Sequence, residues 1–226
     1  MRPVDKGIAP IEYNDYKQAR HYLANRIGYY CSYCEMKIYN SIEVEHIIPR
    51  NRAGSPLDWS NFLLSCKYCN TIKSDNNDNI DDYLWPDRDN TDLAFSYDET
   101  NIISPRTNLS SQLRQKANNT ISLTGLNRSP NTQNHPTGAD TRWRSREEVW
   151  TIARKNLKNW IDAPIIQMAQ SIANCALISG HYSIWIEIFK DDEIVLQEID
   201  NAYYTKHLFK KYDTLGNRII RINGLL

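Results

Sequence analysis

Two CxxC pairs constrain this chain more than any other feature. Cys31 and Cys34 form one, Cys66 and Cys69 the other, with 31 residues between them. A tight turn at each pair offers two soft thiolates. Four together match tetrahedral zinc and leave no open coordination position, so the expected Zn2+ is structural. Two separate redox motifs or a coincidence of spacing are the competing readings. The N-terminus, MRPVDKGIAPIEY, has no apolar stretch of signal type, and no apolar run is long enough to span a bilayer. The expectation is a soluble cytoplasmic chain with no membrane association, a setting that favours zinc over disulfides. Cys175, in the apolar run SIANCALIS, reads as an inert core thiol.

The rest of the chain reads as an α+β fold. Residues 13 to 27 carry Tyr16, Ala19, Leu23 and Ile27 at helical spacing, and Gly28 stops the helix. Residues 38 to 48 suit a hairpin strand, and RNRAGSPLDWSN reads as a loop. A short helix follows from Cys66. Residues 75 to 99 are acidic and read as a solvated face or linker, with partner docking as the alternative. Residues 101 to 160 carry ten basic side chains against three acidic ones. The 27 basic and 27 acidic residues of the whole chain therefore cancel between segments rather than within them. That balance argues against bulk coating of nucleic acid but not against a nuclease with a local basic face. The stretch 126 to 140 reads as a loop. Helices are expected at 145–161, 164–179 and 181–190, followed by a less regular tail.

Between the cysteine pairs lie VEHIIPR and WSNFLLSC, and CKYCNTIKSDN overlaps the second pair. They offer one imidazole (His46), an adjacent carboxylate (Glu45) and two amides (Asn61 and Asn70). Hard cations take carboxylate and amide oxygens, and an imidazole near neutral pKa can deprotonate water. Adjacent strand residues point to opposite faces, so Glu45 and His46 can share a site only if the backbone twists or bulges. Several of these residues also have plainer readings. Asn61 suits a turn cap. Arg50 and Lys73 suit either phosphate contact or solvation. Arg142 and Arg144, interleaved with Trp143, suit either a nucleic-acid clamp or a helix start capped by Ser145. His21, His135, His181 and His207 fit no ligand pattern.

The order CxxC, EHI-x-P, N-x4-CxxCN-x2-K resembles the HNH endonuclease family and its zinc-stapled ββα-metal core. The resemblance implies His46 as general base, Glu45 and Asn70 as ligands of a catalytic Mg2+ or Mn2+, and Asn61 as the residue that orients base and loop. Glu stands where the family usually has Asp, and Asn70 where it often has a final His. The NTIKSDN segment resembles the HNH domain of CRISPR nucleases. The wider layout, with Thr124 to Asn127 as a TGLN-type motif, is similar to the HNH component of Septu and retron-associated anti-phage systems. That likeness implies a DNA substrate and an ABC/SMC-like ATPase partner. The expected organisation is an N-terminal helical extension (1–28), an HNH core (29–100) and a mostly α-helical C-terminal region (101–226). A non-catalytic zinc-knuckle module and a stand-alone restriction or toxin nuclease are the alternatives.

Overall fold

The computed structural model describes residues 1–52, 56–77, 79–204, 213 and 219–226. Asp78 and His207 lie outside the described residues. The first helix is prepared by its cap. The Asp15 carboxylate accepts from the Lys17 amide at 2.9 Å, and the Gln18 side chain reaches back to the Asp15 amide. This reciprocal capping opens a 3-10 turn, Tyr16–Gln18, that runs into α1, Ala19–Ile27. α1 buries Ala19, Leu23, Ala24 and Ile27 on one face. It ends at Gly28, whose φ is +79° and where a Cβ would meet the Tyr30 ring at 2.7 Å.

Strand β1, Ile42–His46, pairs antiparallel with β2, Phe62–Cys66. His46 stands opposite Phe62 and Glu45 opposite Leu63. The chain turns at once into α2, Lys67–Lys73, where the Cys66 sulfur accepts from the Cys69 amide at 3.3 Å. β3 (Phe95–Ser96) and β4 (Ser104–Pro105) make a second small antiparallel pair. Five helices complete the described chain: α3 (Ser111–Thr124), α4 (Arg142–Asp162), α5 (Ile166–Ser179), α6 (Tyr182–Ile188) and α7 (Glu193–Tyr204). The architecture is α+β, with an N-terminal helix, a ββα core and a mostly helical C-terminal region. No described helix is long and apolar enough to cross a membrane.

Two helices were absent from the sequence reading. In α3, SQLRQKANNTISLT, apolar spacing is sparse. The buried Thr120 and Thr124 instead satisfy their hydroxyls by donating to the carbonyls four residues earlier, at 3.0 and 2.7 Å. In α7, EIVLQEIDNAYY, β-branched residues dilute the local helical signal, yet Val195, Leu196, Ile199 and Tyr203 are buried. α4 begins three residues earlier than expected. Ser145 lies inside it and contacts His181 Nε2 at 2.9 Å rather than capping. The acidic stretch is also more than a solvated face. Leu84, Trp85, Asn90, Thr91 and Asp92 are buried, and Asp87 pairs with Lys6 at 2.7 Å. Cys175 packs against the core but is only partly buried.

Buried apolar residues from the N-terminal, central and C-terminal stretches form one cluster. The seam between the first knuckle and the C-terminal helices is specific. The Ser183 hydroxyl and amide donate to the Glu35 carboxylate at 2.6 and 2.9 Å, and the His181 amide donates to the Glu35 carbonyl at 2.9 Å. A Cβ on Gly180 would lie 2.8 Å from that carbonyl, so only glycine permits the approach.

Candidate active site and zinc knuckle

The sulfurs of Cys31, Cys34, Cys66 and Cys69 lie within 4.8 Å of one another, and all four residues are buried. Cys34 Sγ and Cys66 Sγ are 3.8 Å apart. That matches the edge of a tetrahedron with metal–sulfur bonds of about 2.3 Å. Burial raises the Cys31 thiol, but hydrogen bonds from Cys34, Cys66 and Cys69 outweigh it and hold Cys31 well below the usual thiol range. Cys34, bonded to the same cluster, and Cys69, buried beside it, are pushed well above that range. Four sulfurs so close cannot all carry charge unaided, and a divalent cation resolves that conflict. The donor set is therefore compatible with structural zinc.

β1 and α2 frame the second site. A cleft of about 540 Å³ is lined by Tyr16, Glu45, His46, Arg50, Asn70 and Asp75, among others. His46 is the last residue of β1 and 8% exposed. Its Nε2 is 3.0 Å from the Pro56 carbonyl. A carbonyl only accepts, so the neutral ring carries its proton on Nε2 and its lone pair on Nδ1. Tyr16 and Phe62 pack edge-on against the imidazole, each with centroids 5.0 Å away. Burial lowers the His46 pKa below its usual value; the hydrogen bond to Pro56 opposes this, and the charges of Arg50 and Lys73 add to it. The imidazole is thus neutral at neutral pH, as a base must be. Protonation removes the base, so cleavage that uses it is expected to fall off with acid only below about pH 6.5. A pH–rate profile of DNA nicking checks this, and an acid limb above neutrality would contradict the assignment.

Asn61 sits just before the returning strand and fastens the segment after His46. Its Oδ1 accepts from the Ile48 amide at 2.7 Å, and its Nδ2 donates to the Ile48 carbonyl at 2.8 Å. The turn-cap role falls to Asp58, whose carboxylate accepts from the Ser60 amide.

Glu45 is 2% exposed. Its Oε1 lies 2.6 Å from Lys73 Nζ, and its Oε2 accepts from the Tyr33 hydroxyl at 2.6 Å. Burial raises its pKa, and Lys73 and Tyr33 oppose that rise. Asn70 donates instead to Glu43, two residues back along β1 and on the same face as Glu45. The strand pairing runs without a bulge. Glu45 faces α2, while His46 faces Phe62 and Tyr16. Because β1 ends at His46, both residues still border the cleft.

The expected phosphate contacts separate. Arg50 is exposed at the cleft, with its guanidinium 4.9 Å from the Tyr16 ring centroid. Arg144 is exposed and lies over Trp143. Lys73 is fully buried, bonded to Glu45 and to the His46 carbonyl at 2.8 Å, so it is an internal counter-ion rather than a surface cation. Arg142 is 2% exposed, and all of its guanidinium N–H groups are engaged inside the protein, so it offers no donor to a phosphate. Of the unassigned histidines, His21 and His135 are exposed and His181 is buried.

Sequence reasoning missed Tyr16, Tyr33 and Glu43. Alternation along β1 would have found Glu43. No local spacing places Tyr16 over a ring thirty residues away.

Residues 31–76 match the family model for HNH endonuclease. No curated protein matches the chain. The match covers about a fifth of the sequence, and it supports nuclease activity in general. Hard-metal donors that line the cleft include the Asn70 amide oxygen and the carboxylates of Glu45 and Asp75. Each Glu45 oxygen makes one contact and keeps a second lone pair. Among the described residues, the four cysteines are the one group of three or more acidic, His or Cys side chains close enough to share an ion. A cation held by Glu45 and Asn70 would therefore complete its shell with water or substrate oxygens, which suits Mg2+.

Proposed function

We propose that this protein is a metal-dependent endonuclease that hydrolyses DNA phosphodiester bonds. The observation that carries the reading is the His46 imidazole. Its Nε2 is committed to the Pro56 carbonyl, and the ring lines a cleft shared with Glu45 and Asn70. His46 takes the proton of the attacking water at Nδ1. Asn61 fixes the backbone just beyond the base, so the ring stays aimed into the cleft. Arg50 at the rim receives a phosphate oxygen. Mg2+ or Mn2+, when bound by Glu45 and Asn70, supplies positive charge for the phosphate oxygens.

In this reading the chain is the effector of an anti-phage defence complex, gated by an ABC/SMC-like ATPase. Support comes from the charge distribution. The HNH stretch from Cys31 to Asp75 balances five basic residues against five acidic ones, too little surplus for tight unaided DNA binding. Recruitment by a partner supplies what that surface lacks.

Incubating the purified chain with supercoiled plasmid tests the proposal. Nicking is expected in Mg2+ or Mn2+, stimulated by the co-purified ATPase and abolished by EDTA. Absence of metal-dependent cleavage with partner and ATP present overturns it. Full activity of the chain alone overturns the gating and favours a stand-alone nuclease. The engagement of both Glu45 oxygens by Lys73 and Tyr33 favours one further reading, a zinc-knuckle module that binds without cutting. Binding of DNA with no cleavage under any metal would support that.

A further inference from the structure

Two arginines one turn apart on α4, Arg142 and Arg146, are buried at 2% and 1% exposure. Buried charges must be paired, because leaving one uncompensated costs several kcal/mol. Asp140 pairs with Arg142, its Oδ1 lying 2.8 Å from Nε and its Oδ2 2.8 Å from Nη2. Among the described residues, the hydrogen-bond partners of Arg146 are carbonyls, Asn101 at 3.0 Å and Arg128 at 3.2 Å. The group therefore holds two positive charges and one negative. The balancing charge lies next to it. Arg142 Nη1 donates to Cys69 Sγ at 3.0 Å.

We propose that Arg142 is the hydrogen-bonding outer-shell partner of the four-cysteine zinc site, and that through it the C-terminal helices supply counter-charge to the knuckle. Four thiolates around Zn2+ carry a net charge of −2, so a buried site of this kind needs cations and N–H donors around it. Arg142 supplies both in a fixed orientation. Its five N–H groups are all used: Nε and one Nη2 proton on Asp140, the other Nη2 proton on the Gly125 carbonyl at 3.1 Å, and the two Nη1 protons on the Thr124 carbonyl at 2.9 Å and on Cys69. This explains the TGLN segment. Gly125 closes α3 with φ +61°, and a Cβ there would meet the Ile72 side chain of α2 at 3.1 Å. The close approach brings the last carbonyls of α3 to the knuckle helix, where Arg142 ties them to the sulfur. The inference concerns metal retention and stands whether or not the HNH cleft cuts DNA.

Arg142→Lys and Arg146→Lys in the full chain test it, since each keeps its charge and only the first loses a bond to sulfur. Arg142→Lys is expected to lower zinc affinity, measured by chelator competition, by about 10-fold or more. In the Co2+-substituted protein its sulfur-to-cobalt charge-transfer band should move to lower energy, because a thiolate without its donor is easier to oxidise. Arg146→Lys should leave the band in place. An Arg142→Lys protein with native circular dichroism, wild-type zinc affinity and an unmoved band overturns the proposal. If that variant does not fold, the wild-type chain loaded with 113Cd decides. A scalar coupling between cadmium and an Arg142 guanidinium proton through sulfur is expected, and its absence overturns the proposal.

Discussion

His46→Ala is expected to cut metal-dependent DNA nicking by about 10²–10⁴-fold, the usual contribution of a positioned general base. The expectation rests on the tautomer. With Nε2 directed at the Pro56 carbonyl, the ring presents Nδ1 as an acceptor, and Tyr16 and Phe62 restrict its rotation. Alanine removes the acceptor but leaves the supports of the hairpin untouched. The β1–β2 register, the Asn61 clasp on Ile48 and the four cysteines do not depend on the imidazole. Zinc content and circular dichroism should therefore match wild type while the rate collapses. Cleavage by His46→Ala at the wild-type rate would remove His46 from the chemistry.

Lys73→Met is expected to destabilise the fold by about 3–5 kcal/mol, the cost of leaving a buried carboxylate without its partner. Lys73 is wholly buried and Glu45 nearly so, with 2.6 Å between their charged atoms. The double variant Glu45→Gln/Lys73→Met should recover much of the loss, because the uncompensated charge is then gone. The pH dependence has a definite sign. Burial raises the folded-state pKa of Glu45, and losing Lys73 raises it further. A carboxyl with a raised folded pKa penalises the fold as pH rises through that value. The deficit of Lys73→Met should therefore shrink at low pH, where Glu45 holds its proton. Urea denaturation midpoints across pH measure this. A variant within 1 kcal/mol of wild type at neutral pH would show that the pair carries little of the fold's stability.

The knuckles, the first strand of the hairpin and the short helix after Cys66 were legible because their signals are local, whereas the returning strand Phe62–Cys66 was not read. CxxC spacing, a β-branched run and a glycine at φ +79° after α1 act within a few residues of themselves. The candidate site was legible in part for the same reason, since His46, Glu45, Asn61 and Asn70 fall within one compact motif. Lys73 and Arg142 were not, because a cation's exposure depends on what packs over it. Lys73 lies under β1 because α2 crosses the strand there. Arg142 is covered because α3 ends against α2. α3 and α7 were missed because their burial comes from distant partners and, in α3, from threonine hydroxyls turned back on the helix.

The sequence by itself determined a four-thiol cluster and an imidazole placed between its halves, since short-range spacing and side-chain chemistry are enough to specify both. Only the tertiary structure decided which charges are internal. Whether a lysine or arginine meets solvent, a carboxylate or a metal-binding sulfur is set by long-range packing. In that packing, the energy of burying a charge makes each cation answer to its new neighbours rather than to its place in the chain.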